Sequence, residues 1–361
     1  MAGSSLVGLR PPVPSPLSLQ LFPPTATPTP LPTPTPTPET AESFLARGAA
    51  LLGQGRWSDA AAAFEQAAAL QPTSAAAEAG WAQALLFSNR VDGALKHAER
   101  AAQLDHASSQ VQTVLALARN WAGQTDEAIG AARRALELDP ANARAQAYLA
   151  ESYADKYRLA EADAALAKAL ASAGDDPEVQ RVRGYLAEAR ADYQAAVVAY
   201  QRAVSLAPQD SYLYLALGNA YRAQKDYDQA LKAYQRAAEL NPQDARIEAA
   251  IGSVHYQLEE YQSALQHYQR AAELDPQYAT APGQLGWIYY VQKQYDTARP
   301  YLERAASLEK NALRKAQYLH ALGWINLKAG NKQAARDDFT QALQLDPSLQ
   351  GARDGLQALG G

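Results

Sequence analysis

The side chains that most often do chemistry are present in this chain without the spacing that chemistry needs. Five histidines, His97, His106, His255, His267 and His320, could each bind a metal or move a proton. None stands in an H-E-x-x-H or comparable ligand spacing, and each reads as a solvated or partner-packed ring. There is no cysteine, which removes thiolate and disulfide chemistry. The sequence holds no Gly-Lys-Ser/Thr phosphate loop, no G-x-G-x-x-G after a strand and no G-x-S-x-G turn. Carboxylates are plentiful, but they fall where helix surfaces need solvation. No catalytic residue, metal site or cofactor is therefore expected, and the chain reads as non-enzymatic.

Composition narrows the partner. Hydrophobic residues make up 48% and charged residues 20%, as in ordinary globular proteins. The net charge of -5 argues against a nucleic-acid backbone, which needs clustered Lys and Arg. No apolar run is long enough to cross a bilayer, and the opening "MAGSSLVGLRPPVP" is too short and too Pro-rich for a signal peptide.

The elements that must position any functional residue begin near residue 40. Residues 1–40 are dominated by Pro and Thr ("PPTATPTPLPTPTPTP"), with Arg10 the one charged side chain before Pro38. Proline fixes φ and removes donors, so this segment is expected to be a disordered tail or an extended stalk. Its Thr-Pro alternation resembles spacers that hold bacterial extracytoplasmic domains away from a membrane anchor. That reading points to an extracytoplasmic rather than a cytoplasmic location, with membrane contact only indirect, through an anchor upstream.

Beyond Thr40 good helix formers take over and the chain repeats itself. "DYDQALKAYQRAAELNPQD" at 226–244 returns as "EYQSALQHYQRAAELDPQY" at 260–278, thirty-four residues later. The same phase carries a small residue at Gly48, Ala82, Ala116, Ala150, Gly184, Gly218, Gly252 and Gly286. Alanine recurs twelve residues on (Ala60 through Ala298) and again seven beyond (Ala67 through Ala305), with proline near the unit end at Pro72, Pro140, Pro208, Pro242 and Pro276. Apolar residues at three- and four-residue spacing, as in "YLYLALGNAYRAQ", make each unit two amphipathic helices joined by a short turn. The small residues let the two backbones approach, and no unit can bury both faces alone, so units must stack.

A 34-residue period with Gly218, Tyr221, Ala230, Tyr234, Ala237 and Pro242 resembles the tetratricopeptide repeat. Nine units are counted: 41–74, 75–108, 109–142, 143–176, 177–210, 211–244, 245–278, 279–315 and 316–349. The tail 350–361 resembles the capping helix that closes such arrays. The implied fold is all-α, an α-solenoid forming a right-handed superhelix. Ala98 and Ala132 replace the usual large aromatic, so units two and three are expected to pack thinly. Pro300, together with the extra residues Leu313, Arg314 and Lys315, marks the junction of units eight and nine as irregular.

The resemblance implies a concave groove lined by the first helix of each unit. The family's inward positions map here to Tyr185, Tyr212, Asn219, Arg222, Tyr256, Trp287, Tyr290 and Trp324, with His320 among them and Phe87 and Trp121 nearby in earlier units. Tyr200, Tyr234 and Tyr268 on second helices, and Tyr193, Tyr227, Tyr261 and Tyr295 at the turns, are expected to be packing residues. Some family members clamp a chaperone's terminal carboxylate. Asn219 matches that clamp, but Leu215, Ala250, Thr280 and Gln284 occupy its other places, so no chaperone clamp is expected.

The expected function is a scaffold that binds an extended peptide or a partner helix in the groove, where Tyr, Trp and Arg act as hot spots. Two alternatives stand beside it: a stalked surface protein stacking glycan on the same aromatics, and a structural adaptor working through its convex face.

Overall fold

The structure, a computed structural model, describes residues 39–360; the Pro/Thr segment up to Pro38 lies outside them. Nineteen helices and no strand are found among the described residues. The chain runs α1 (Ala41–Gly53), α2 (Trp57–Leu70), α3 (Ala75–Phe87), α4 (Val91–Leu104), α5 (Ser109–Trp121) and α6 (Thr125–Leu138). It continues with α7 (Ala143–Asp155), α8 (Leu159–Ala173), α9 (Pro177–Ala189), α10 (Tyr193–Leu206), α11 (Ser211–Ala223) and α12 (Tyr227–Leu240). The last helices are α13 (Ala245–Gln257), α14 (Tyr261–Leu274), α15 (Thr280–Val291), α16 (Tyr295–Leu308), α17 (Ala312–Lys328), α18 (Lys332–Leu345) and α19 (Gln350–Gly360). Each odd helix packs on the even one after it, and successive pairs stack, so the array is an α-solenoid.

Local chemistry explains the regular helix starts. Thr40, Ser74, Ser108, Asn142, Asp176, Asp210 and Asp244 recur at the unit spacing, and each side chain accepts an N–H from the first turn of an odd helix. Asn311 does the same for α17. Helix α15 breaks the series: Ala279 precedes it without a side-chain cap, and Tyr278 stands where the acidic cap would be.

Within each pair the helices turn through one residue of left-handed backbone, from Gly55 at φ 69 to Gly330 at φ 80. Most of these positions are not glycine: Asn89, Tyr157, Ala191, Lys225, Glu259 and Lys293 all adopt positive φ there.

The small residue of each first helix is matched to a partner sixteen residues on. Where it is glycine, the partner is large: Gly48 faces Phe64, Gly184 faces Tyr200, Gly218 faces Tyr234, and Gly323 faces Phe339. Where it is Ala82 or Ala116, the partner position holds Ala98 or Ala132, both fully buried. Volume is thus traded across the helix pair. Tyr200, Tyr234 and Tyr268 are buried in these cores, whereas Tyr193, Tyr227, Tyr261 and Tyr295 at the turns are half-buried.

At the junction of units eight and nine, Leu313, Arg314 and Lys315 lie inside α17, which extends to 17 residues where α13 has 13. Pro300 lies within α16, which runs on through it. Helix α19 closes the end: a methyl at Gly355 would stand 2.5 Å from Phe339 Cε1, and one at Gly351 2.5 Å from His320 Nε2.

Candidate functional site

The odd helices of successive units touch, as α3 with α5, α5 with α7, α7 with α9 and α11 with α13, and form one layer of the array. Rings from distant units meet across the inside of this layer. Phe87 and Trp121 lie 5.9 and 5.5 Å from Tyr212. Such a meeting requires the array to curve with its first helices inward.

Asn219, Arg222 and Tyr256 converge on one cavity of about 450 Å³ between units six, seven and eight. Arg246, Ser253, Tyr268 and Tyr278 also line it, and no carboxylate does. Arg246 is paired with Asp244 at 2.6 Å. Arg222 is different: its Nε is buried without an acceptor. The nearby Glu188 carboxyl accepts the Tyr200 hydroxyl instead, at 2.9 Å, and burial holds its pKa above the ordinary carboxylate range. Asn219 Oδ1 accepts the Tyr234 hydroxyl at 2.8 Å, which leaves its amide NH2 as the available donor. Leu215, Ala250, Thr280 and Gln284 are in the same wall, so the place of the chaperone clamp is a cavity here with different chemistry.

The remaining residues of the expected groove do not join that cavity. Trp287 and Tyr290 meet in a tilted pair at 5.6 Å, and Tyr290 meets Tyr295 at 5.9 Å. Trp324 donates Nε1–H to His320 Nε2 at 2.9 Å and packs edge-on to Phe339 at 5.6 Å, at the capped end. Burial lowers the His320 pKa, which favours the neutral ring that can accept this bond. Tyr185 gives its hydroxyl to Asp155, and burial, with that carboxylate, holds its pKa well above the ordinary value.

Tyr212 belongs to a buried polar cluster. Arg181, 2% exposed, donates to Glu151 Oε2 at 2.5 Å and to Glu178 Oε2 at 2.9 Å. Trp121 Nε1 donates to Glu151 Oε1 at 3.1 Å, and the Tyr148 hydroxyl to Glu178 Oε2 at 3.2 Å. The Arg181 guanidinium also lies 5.8 Å from the Tyr212 ring. Burial works against its charge, but the two carboxylates outweigh burial and keep its pKa well above the ordinary value. Burial raises the Tyr212 phenol to about 12 against the opposing pull of Arg181. This cluster uses up polar groups internally and offers little to a partner.

Sequence reasoning overlooked Glu151, Glu178, Arg181 and Arg246, although all fall at the same inward positions and the same count through units four, five and seven would have found them. Tyr278 carries a subtler signal, the break in the series of helix caps.

Models of the tetratricopeptide repeat match residues 51–118, 122–184, 215–279 and 277–348. No protein of curated function matches in sequence. Among solved structures, the crystal structure of the APC/C hetero-tetramer Cut9–Hcn1 is similar with a TM-score of 0.64 at 18% identity. The match covers 83% of this chain and 59% of that one, and at this identity it concerns the fold alone.

Proposed function

The chain belongs to the tetratricopeptide repeat family, and from that premise we propose that it is an interaction scaffold binding an extended peptide where units six to eight face the groove. The observation that carries this reading is Arg222, a cation with a buried, unpartnered Nε in a cavity of about 450 Å³ that no carboxylate lines. A buried donor without an acceptor is costly, and a ligand that supplies one recovers that cost. Arg246 is already held by Asp244, so Arg222 is the cation left to select an acidic group on the ligand. Tyr256, Tyr268 and Tyr278 add aromatic area with polar tips around it.

The Trp287–Tyr290 pair extends the same inner layer and would receive the ligand's apolar residues. Trp324 is assigned to the packing of the capped end.

Displayed peptide libraries, acidic and neutral, panned on the full chain provide the test. Acidic peptides are expected to be selected, and Arg222→Ala and Tyr256→Ala each to weaken the selected peptide by about thirty-fold, the loss typical of a hot spot. Far-UV circular dichroism should be unchanged in both. Equal binding by Arg222→Ala would overturn the assignment. Enrichment of cell-wall oligosaccharide over all peptides, in a parallel arm, would favour the glycan reading.

A further inference from the structure

Contacts among residues far apart in sequence run along one line of the array. Arg246, at the start of α13, donates Nη2–H to the Phe87 carbonyl oxygen at the end of α3, at 3.0 Å across 159 residues. Lys310 Nζ reaches Asp92 Oδ2 at 2.7 Å across 218 residues. At Gly55 a Cβ would collide with the carbonyl oxygen of Gln209 and stand 3.3 Å from Asp210 Cα. In each case a turn inside one of the first two units, or the helix end beside it, meets a loop between two later units or the helix start that follows it. The array bends back until its first units rest on the loops that follow units five, six and eight.

The turn glycines single out this line. Gly55, Gly123 and Gly330 all occupy the left-handed turn position, with φ 69, 79 and 80. Nothing lies within 4 Å of a Cβ built at Gly123 or Gly330. Asn, Lys or Glu serves at the same position elsewhere, so left-handed backbone alone does not demand glycine in this array. Gly55 alone of these three is pressed against another backbone.

The seam is thin. Lys310 and Asp92 are 80% and 82% exposed, so their attraction is weak and screened by salt. Clefts of about 460, 510 and 660 Å³ lie along it, lined by Gly55 with Gln209, by Ser88 with Gln243, and by Gly93 with Lys310. The helix-pair cores are, by contrast, filled by residues of adjacent units. Breaking the seam also parts Tyr212 from Phe87 and Trp121, but it leaves every helix pair intact.

We propose that this seam is a latch, whose opening uncoils the array while its units stay folded and uncovers Phe87, Trp121 and Tyr212 inside. Phe87 is 3% exposed and is held between Trp57 and Tyr212, at 4.8 and 5.9 Å, so the closed form hides it. Arg246 lies on both sides of the device: it lines the cavity at units six to eight and bonds the Phe87 carbonyl across the seam. An acidic ligand engaging Arg246 would compete with that carbonyl and favour opening. Only this last step rests on the groove reading.

The absence of cysteine allows two spin labels at chosen places in the full chain, Gln66→Cys and Glu273→Cys, both exposed and neither in a cleft. Pulsed dipolar spectroscopy without ligand is expected to give one narrow distance distribution. Gly55→Asn keeps a residue tolerant of left-handed backbone but drives a side chain into Gln209, and should add a longer, broader population. Gly123→Asn, with the same backbone and no neighbour, should not. Should Gly55→Asn lose helicity, the pair Asp92→Lys with Arg246→Gln replaces it, with the same expectation. A distribution unmoved by the seam variants, or already broad in the unaltered array, overturns the latch. Because no ligand is used, failure of the groove reading leaves this result standing.

Discussion

Gly218 and Gly130 show how one residue type carries opposite meanings in a helix. A methyl at Gly218 would stand 2.5 Å from Tyr234 Cδ1, and Tyr234 is fully buried. Gly218→Ala gains about 1 kcal/mol of helix propensity but overpacks a core at a cost of about 1–3 kcal/mol. Gly130 lies on the exposed face of α6 with nothing within 4 Å of a Cβ. Gly130→Ala should therefore raise the thermal midpoint and Gly218→Ala lower it; the same sign for both would refute the trade of volume between first and second helices. Asp210 supplies a pH test. Burial, then the neighbouring Glu178 carboxylate, push its carboxyl up to about 7 from the ordinary 3.8. A raised pKa means the fold binds this proton more tightly than the unfolded chain does. Its contribution is then fully present below about pH 4 and is lost as pH rises through 7. Asp210→Asn keeps a capping oxygen for the Tyr212 N–H without the titration. The variant should lose less thermal stability than the unaltered chain between pH 5 and 8, and equal losses would show that Asp210 does not titrate there.

At the scale of the element, the helix pairs were legible because each answers only to its neighbours. A period of thirty-four, a small residue and a matched partner suffice to place two helices; α1 to α16 follow that pattern, and α17 and α18 follow it after the three added residues. The site was legible in part. Asn219, Arg222 and Tyr256 share a cavity because units six and seven present the same inward positions in succession. Tyr185 and Tyr212 are engaged internally because Asp155 and the Glu151–Arg181–Glu178 cluster claim them, and such pairing depends on what faces them from another unit. Tyr278 was visible only as a difference, since the two most similar segments end in Asp244 and Tyr278. There the chain gives up a cap and gains a ring in the cavity. Elements should also differ in how easily they open. Helix α4 buries only Ala94, Ala98 and Ala101, whereas α12 buries Tyr234 and α14 Leu265 and Tyr268 beside their alanines. A buried aromatic adds about 2–3 kcal/mol over alanine, which is roughly thirty- to a hundred-and-fifty-fold in opening. Hydrogen exchange should find α4 amides faster than those of α12 and α14 by that order, and the reverse order would contradict it.

For the whole molecule, the sequence repeat is silent about the seam. Curvature accumulates from a small rotation at every unit, and whether unit two meets the loop after unit six depends on the sum. No local motif records that sum; Gly55 and Arg246 look ordinary within their own units. The seam changes how the array should behave as a system. A solenoid whose units touch only their neighbours transmits a perturbation along the chain and loses it within a unit or two. Here Arg246 bonds the Phe87 carbonyl directly, and Phe87 ends the helix that precedes the turn at Ser88–Arg90. Arg246→Gln retains a polar side chain but is shorter and uncharged, so it should release that turn. Amide exchange in the unaltered chain and the variant, compared residue by residue, tests the point. Protection is expected to fall at Asn89–Gly93, more than 150 residues from the substitution, and to hold in α6 and α8, which lie between the two places in sequence and line none of the seam clefts. Loss confined to α13 and its neighbours would mean that the array behaves as a linear stack and that the contact with Phe87 adds nothing to its order.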